Sequence, residues 1–231
     1  MMIISKAELE VIQLSLQVAT ISTVTVLPVS IALAWTMARK KFKGKSIVEG
    51  IISLPLVAPP VVTGYLLLWL LGSKGILGEW LLETWNIRLS FNFIALIIAS
   101  SVVSLPLAVR TIKSAFELID PVYEKASGTL GASRLVTFIR ISLPLALPGI
   151  ISGMVLTFAR SLGEFGATIT FAGNIQGETR TIPLMIYSNM QVPGEEWEVT
   201  RLVLLAICIS IGAVMLAEFF KNRKNFLTRT G

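Results

Sequence analysis

The sequence predicts an all-α polytopic membrane protein with about five transmembrane helices, its N-terminus outside and its C-terminus in the cytoplasm. The 231 residues are 54% hydrophobic and only 15% charged, with a mean hydropathy of +0.76, whereas a soluble domain averages about 25% charged residues. The apolar residues lie in long runs that are nearly free of charge, as membrane spans require. The basic residues concentrate in alternate loops between those runs, which sets the orientation.

A helix needs about 20 consecutive apolar residues to cross a bilayer, and five stretches approach or exceed that length. The first has 28 residues without a charge, and the fourth is interrupted by the segment between Arg160 and Glu164. All five belong to one predicted domain, residues 9–220. The predicted spans are residues 11–38, 50–73, 89–109, 141–172 and 202–220.

The second span cannot form a regular helix, because it contains Pro55, Pro59, Pro60 and Gly64. Broken backbone at membrane depth is tolerated only against protein or along a water-filled cavity. Pro59 and Pro60 are therefore candidates for lining a pathway through the membrane.

Lysine and arginine predict which loops are cytoplasmic. Of the 20 basic residues, 14 lie in one set of loops and five in the opposite set, with Arg160 left in or near a span. The larger set is therefore assigned to the cytoplasm. Its members lie at residues 39–45, 110–140 and 221–229, and the smaller set comprises Lys6, Lys74, Arg88, Arg180 and Arg201.

Several functions are excluded by what the sequence lacks. It has no histidine, so His-based catalysis and His-ligated metals are excluded, and no metal site or catalytic residue is predicted. Its single cysteine, Cys208, lies in an apolar run and has no intrachain disulfide partner. No phosphate-binding loop is present, so this chain is expected to bind neither ATP nor another cofactor.

The net charge of +6 is explained by basic residues in the predicted cytoplasmic loops, and it does not indicate a nucleic-acid-binding surface. No cleavable signal peptide is expected.

The tetrapeptide Ser-Leu-Pro-Leu occurs three times, at residues 53–56, 104–107 and 142–145. In the predicted topology each copy lies near the cytoplasmic end of a span. Three proline breaks at this depth suggest a pliable inner gate. The alternative is that proline only starts or ends helices there.

The loop at residues 124–144 is too polar to be buried in lipid. Gly131 permits a turn, and nine residues later the sequence reads Ile141-Ser142-Leu143-Pro144. Between them lies a short amphipathic piece that contains Arg134, Leu135, Val136, Phe138, Ile139 and Arg140.

This spacing resembles the cytoplasmic coupling loop of ABC-transporter permeases, whose pattern is Glu-Ala-Ala, three residues, Gly, nine residues, Ile-x-Leu-Pro. The second half matches, whereas Lys125-Ala126-Ser127 stand at the Glu-Ala-Ala positions and Glu124 lies one residue early. The resemblance implies a short helix that docks on an ATPase. The residues that it assigns to this role are Glu124, Ala126, Gly131, Ile141, Leu143 and Pro144.

A second candidate site follows the fourth apolar run, at residues 158–168. Arg160 and Glu164 are four residues apart, so on a helix they share a face, and charges in a bilayer are expected to face the bundle interior. The pair either shapes an anion pathway or fixes helix packing. The other candidates are Ser161 and Thr168 as neutral hydrogen-bond donors and Gly166 for close helix approach.

The outer loop at residues 173–183, Gly-Asn-Ile-Gln-Gly-Glu-Thr-Arg-Thr-Ile-Pro, is polar. It either meets an external partner, caps the pathway or is an exposed loop without such a role. Together with residues 54–65 and 158–171 it resembles the molybdate permeases of ABC transporters, the ModB type. The resemblance extends over about residues 9–220 and implies a type I (MetI-like) permease fold.

The resemblance also implies the partners and the location. A second copy of the chain, two cytoplasmic ATPase subunits that bind ATP and Mg²⁺, and an external oxyanion-binding protein would surround it in the cytoplasmic membrane of a prokaryote. The implied function is import of molybdate or tungstate by alternating access. The alternatives are a sulfate or thiosulfate permease, an ion-coupled secondary transporter and a membrane-embedded enzyme. The last two would need more intramembrane polar residues than this sequence contains.

Overall fold

A computed structural model describes residues 5–227 of the chain, with side chains to residue 215. All regular structure in the described part is helical, as predicted. The α-helices are α1 (Lys6–Arg39), α2 (Lys45–Val57), α3 (Pro60–Leu71), α4 (Gly78–Trp85), α5 (Phe93–Glu117), α6 (Pro121–Thr129), α7 (Arg134–Thr137), α8 (Leu143–Leu162), α9 (Gly166–Phe171), α10 (Ile182–Asn189) and α11 (Glu196–Leu227), and a π-helical turn, Phe138–Ser142, joins α7 to α8.

Four helical segments are long and apolar enough to cross a membrane, and the pair α2 and α3 makes five if it counts as one span. The four are Lys6–Arg39, Phe93–Glu117, Arg134–Leu162 and Glu196–Met215. The predicted fifth span, residues 202–220, extends past the described side chains. The basic residues after position 215 that supported the orientation also lie beyond them.

The pair α2 and α3 bends by 112° at its break, where the sequence predicted an irregular helix. Pro59 has extended ψ, and Pro60 starts α3 at a position that needs no N–H donor. Glu49 of α2 pairs with Lys113 near the C-terminal end of α5. Leu67 of α3 lies in a buried cluster with residues of the N-terminal half of α5. The pair thus runs along α5 from one end to the other, which favours five spans.

The core surrounds α5, which packs against α1, α2, α3, α8 and α9. Two apolar clusters divide it. One groups Val18, Leu67, Leu96 and Phe171 at the predicted outer end. The other groups residues of α1, α5 and α8 around Phe116 at the predicted cytoplasmic end, with Phe138 and Leu143 packed against it. Pro106 lies buried inside α5 without ending the helix.

The fourth span differs from the prediction at both ends. Ser133 caps a helix that begins at Arg134 and continues through the π turn, so Leu143-Pro144 does not open a new helix. The π turn ends at Ser142, two residues before Pro144, which lacks the N–H that a regular i→i−4 ladder would use. At the other end the predicted span 141–172 is not continuous, because α8 ends at Leu162 and α9 starts at Gly166.

The third span is also displaced, since α5 covers residues 93–117 rather than 89–109. Asn92 caps its start by accepting a hydrogen bond from Ala95 N at 3.0 Å. At its other end Arg110 donates to Ser53 Oγ at 2.9 Å, and Lys113 lies 2.7 Å from Glu49. Because Arg110 and Lys113 have these partners, the helix continues through them, whereas the hydropathy pattern predicted that the span ends before them.

Candidate functional site

The predicted coupling loop contains a helical hairpin formed by α6 and α7, which we call the coupling hairpin. Asp120 caps α6 by accepting from Val122 N at 2.9 Å, and Pro121 occupies the first turn. Gly131 turns the chain with φ +82°, a conformation that residues with a side chain rarely adopt. Ser127 and Thr137 close the hairpin with a hydroxyl–hydroxyl hydrogen bond of 2.9 Å in a buried position.

Glu124 faces inward and joins three parts of the chain. Its Oε1 accepts from Arg39 Nε at 2.9 Å and from Ser142 Oγ at 2.7 Å. Arg39 Nη2 also donates to Ile119 O at 3.0 Å. The carboxylate therefore ties the coupling hairpin to the end of α1 and the start of α8. Sequence reasoning identified Glu124 but missed Arg39 and Ser142, because no local pattern relates positions so far apart.

The hairpin and the π turn after it also carry exposed apolar side chains, which together we call the docking face. These are Val122 (60% exposed), Tyr123 (58%), Leu130 (88%), Leu135 (66%) and Ile139 (52%). Ala126 and Gly131 are exposed beside them, whereas Ile141 and Leu143 are half-buried and Pro144 is exposed. A group of exposed apolar side chains is typical of a surface that another protein covers.

The second candidate site lies where the two helix breaks meet, and we call it the central contact. A Cβ added to Gly166 would lie 2.7 Å from Pro60 Cβ and 3.2 Å from Val61 N. A Cβ added to Gly64 would lie 2.7 Å from Ala167 O. The start of α9 therefore packs backbone against backbone on the start of α3. Pro59 and Pro60 remain exposed at this point in the isolated chain.

Arg160 and Glu164 do form an ion pair, with 2.6 Å between Nη1 and Oε2. Oε2 has no hydrogen-bond partner among the described residues, so the contact is an ion pair alone. Glu164 lies past the end of α8 and is 1% exposed, against 29% for the Arg160 side chain. Its Oε1 accepts from Ala167 N at 2.8 Å, so the same carboxylate caps the first turn of α9.

The two predicted neutral donors differ in their surroundings. Thr168 is buried, and its Oγ1 donates to Phe165 O at 2.9 Å. Its hydroxyl hydrogen is therefore already engaged by a backbone carbonyl. Ser161 is buried, and its hydroxyl has no partner among the described residues. The structure thus brings Pro60, Arg160, Glu164 and Gly166 to one place, while it shows no bond from Thr168 or Ser161 to that ion pair.

The three Ser-Leu-Pro-Leu segments have different environments. Pro55 is half-buried in α2, Pro106 is fully enclosed in α5, and Pro144 is exposed. Their serines also differ in partner, since Ser53 accepts from Arg110, Ser104 donates to Ser100 O, and Ser142 donates to Glu124. The inner-gate hypothesis stays a prediction. Among the side chains described, residues 5–215, no group of three or more metal-ligating side chains is present.

Comparisons with known proteins agree with this architecture. The family described as "Binding-protein-dependent transport system inner membrane component" matches residues 27–225. The molybdenum transport system permease protein ModB of Haemophilus influenzae is 50% identical over 216 residues, 94% of each chain. The sulfate transport system permease protein CysT of Escherichia coli is 37% identical over 159 residues, 69% of this chain and 57% of its own.

Among solved structures, a chain of a bacterial ABC transporter involved in the import of the acidic polysaccharide alginate has the same fold. The TM-score is 0.75 at 20% identity, over 95% of this chain and 80% of that chain. The predicted all-helical type I permease fold is confirmed. The chain belongs to the family of inner membrane components of binding-protein-dependent transport systems, as the multi-pass permease component of an ABC transporter whose ATPase is a separate chain.

Proposed function

We propose that this chain is the permease subunit of an ATP-driven importer of molybdate or tungstate. The observation that carries the proposal is the similarity to a molybdenum permease over 94% of both chains. In the assembled importer, two copies of the chain form the pathway, two ATPase subunits dock from the cytoplasm, and an oxyanion-binding protein delivers the anion from outside.

The mechanism follows from the cost of moving a dianion through hydrocarbon. Desolvation of a charge in a medium of low dielectric costs tens of kcal/mol, so the permease must supply a wet path that is never open at both ends. Closure of the ATPase dimer moves the docking face. Glu124 passes that movement to α1 and α8 through Arg39 and Ser142.

Movement of α8 reaches the central contact through the chain itself. The helix ends at Leu162, and Glu164 joins that end to α9 by pairing with Arg160 and capping Ala167 N. Since α9 packs directly on the start of α3, a shift of α8 must move both broken spans. We place the pathway along these breaks, where Pro59, Pro60 and Arg160 lie.

Sulfate is the nearest alternative substrate, because it is also a tetrahedral dianion. The similarity to a sulfate permease is lower and covers 69% of this chain, which favours molybdate. An ion-coupled secondary transporter gives no role to the docking face.

The test is ATP-dependent molybdate uptake by liposomes that contain this chain, its ATPase and its binding protein, with tungstate and sulfate as competitors. We expect tungstate to block uptake and sulfate to have little effect. Equal inhibition by sulfate would assign the chain to sulfate transport, and uptake without any ATPase would contradict the ABC mechanism.

Two variants test the docking face in the same liposomes. Leu130→Asp places a charge on the most exposed residue of that face, and we expect it to abolish ATPase binding and uptake. Ile76→Asp is the matched control, since Ile76 is 61% exposed in the loop between α3 and α4, on the side predicted to face outward. Equal loss in both variants would show that the charge harms folding rather than docking.

A further inference from the structure

A cavity lies at the predicted outer face, away from the docking face and the central contact. It has a volume of about 250 Å³ and lies between the start of α1, the outer loop and α10. Five of the ten residues that line it have polar or charged side chains. Those side chains are Glu10, Gln13, Gln17, Gln176 and Arg180, with Met185 among the apolar ones.

Arg180 is held in place by a chain of hydrogen bonds from its own loop and α10. Its Nε donates to Asn174 Oδ1 at 2.9 Å. Asn174 Nδ2 donates to Ser188 Oγ at 2.7 Å, and Ser188 donates to Leu184 O at 3.0 Å. Within residues 5–215, no hydrogen bond or ion pair engages the two terminal nitrogens of the guanidinium. An arginine fixed through Nε presents these two nitrogens as a fork that matches two oxygens of an oxyanion.

The loop that carries Arg180 is itself tightly bonded. The carbonyl of Ile175 accepts from the backbone N–H groups of Glu178, Thr179 and Arg180, at 3.1, 2.9 and 3.1 Å. Thr179 is fully buried, and its hydroxyl accepts from Ile175 N at 2.9 Å. A preorganised loop of this kind loses little conformational entropy when it binds a ligand.

The opposite wall is formed by α1, where Gln13 and Gln17 are one helical turn apart. Both line the cavity, and they are the only amide side chains of α1. Polar side chains in a membrane helix are costly against lipid and typically face protein or water. Their amides are neutral donors and acceptors, so they can bind anion oxygens without adding charge.

Glu10 lines the same cavity and limits how strongly an anion binds there. With one arginine and one carboxylate, the cavity has no net formal charge. An anion would therefore be held by the geometry of the Arg180 fork and the amides, and would leave easily. A weak site of this kind suits transit, because a transport step fails if the ligand is held too tightly.

We propose that this cavity is a receiving site for a tetrahedral oxyanion, with Arg180 as its main ligand and Gln13 and Gln17 as neutral donors. The proposal rests on the proposed function and adds to it a first binding step on the permease. It places that step near the outer loop, separate from the ion pair of Arg160 and Glu164.

The test measures binding and transport in the complete transporter. Binding of radiolabelled molybdate to the permease–ATPase complex in nanodiscs, without the binding protein, is compared for wild type, Arg180→Gln, Arg180→Lys and Arg88→Gln. Arg88 is an exposed arginine on the same predicted side, outside the cavity, and serves as the control. Loss of a charge-assisted contact should weaken binding about tenfold or more in Arg180→Gln. Lysine should restore part of it, because it keeps the charge but loses the fork.

A parallel measurement distinguishes an anion site from a contact with the binding protein. We expect Gln13→Leu to weaken molybdate binding too, while the affinity for the binding protein stays unchanged in every cavity variant. If Arg180→Gln weakens attachment of the binding protein and leaves molybdate binding unchanged, the cavity is a protein contact and the proposal fails. It also fails if the wild type transports molybdate but shows no saturable binding at millimolar molybdate. Absence of molybdate transport by the wild type would instead refute the proposed function.

Discussion

The central contact and the coupling hairpin are constructed in opposite ways. At the central contact, glycines allow α3 and α9 to pack backbone against backbone, with no room for a Cβ at Gly64 or Gly166. In the coupling hairpin, side-chain hydrogen bonds join the elements, with Glu124 accepting from both Arg39 and Ser142. A contact between two backbones leaves no space for an added side chain, whereas a set of hydrogen bonds can lose one bond and keep the others. Substitutions at the two regions should therefore differ in size and in what they impair.

The largest effect is expected for Gly64→Val at the central contact. The new side chain would meet Ala167 O and Thr170 Cβ, at 2.7 and 2.8 Å from its Cβ. Overpacking of this kind costs about 1–3 kcal/mol or more, and here the obstacle is backbone. We expect a marked fall in the melting temperature of the purified protein and loss of uptake.

Gly50→Val is the matched control for that variant. Gly50 belongs to the same broken span, and a Cβ there would meet nothing within 4 Å. We expect its melting temperature to stay near that of wild type. Equal destabilisation in the two variants would show that valine harms the span generally, and that the contact between α3 and α9 is not the cause.

The next largest effect is expected for Glu164→Gln. Glutamine can still accept from Ala167 N, but Arg160 would lose its anionic partner in a site where Glu164 is 1% exposed. Removal of one member of a fully buried pair typically costs about 3–5 kcal/mol, and the cost here should be well below that, because the Arg160 side chain left without its partner is 29% exposed. We expect a lower melting temperature and slower uptake.

The double variant Arg160→Gln with Glu164→Gln separates the two roles that the sequence left open. It removes both charges, so we expect the melting temperature to recover while molybdate uptake stays low, as a pathway role for Arg160 requires. Full recovery of uptake would assign the pair to helix packing alone.

A smaller and different effect is expected for Glu124→Gln in the coupling hairpin. The amide keeps an acceptor oxygen but loses the charge that Arg39 engages. The Arg39 and Glu124 side chains are 15% and 21% exposed, so we expect a shift in melting temperature of only a few degrees. Uptake per ATP hydrolysed should fall more than stability does. Glu117→Gln is the control, since Glu117 is 49% exposed and lies 3.6 Å from Lys113. If Glu124→Gln and Glu117→Gln give the same uptake per ATP hydrolysed, the coupling role of Glu124 is contradicted.

The sequence was sufficient for the fold class and the irregular second span, and it assigns the predicted coupling loop to residues 124–144. These depend on hydropathy, on proline chemistry and on a spaced motif, all of which are local properties. It was insufficient for the contact between Pro60 and Gly166, because residues more than 100 positions apart meet only through tertiary packing. The sequence indicated an interruption of the fourth apolar run between Arg160 and Glu164, but it did not predict that the helix ends at Leu162. Glu164 caps the first turn of α9, and this stabilises a new helix in place of a longer α8. A hydropathy pattern carries no information about such a cap.

The smallest effect is expected for Ser127→Ala, which isolates the contribution of one hydrogen bond to the hairpin. Ser127 stands where the coupling-loop pattern has its second alanine, and its hydroxyl bonds Thr137 in a buried position. Loss of one partner leaves the other hydroxyl without this bond, at a cost of about 1–3 kcal/mol. Thr137 can offset much of that cost, because a helical threonine can donate to the carbonyl four residues earlier.

We therefore expect Ser127→Ala to lower the melting temperature by no more than a few degrees and to leave uptake close to wild type. The double variant Ser127→Ala with Thr137→Val removes both hydroxyls and should be no less stable than the single one, because no buried donor remains. A large loss of uptake in Ser127→Ala would show that closure of α6 on α7, and not only the Glu124 contact, is needed to transmit movement from the ATPase. In that case the hairpin would be as intolerant of change as the central contact, and the contrast between the two regions would not hold.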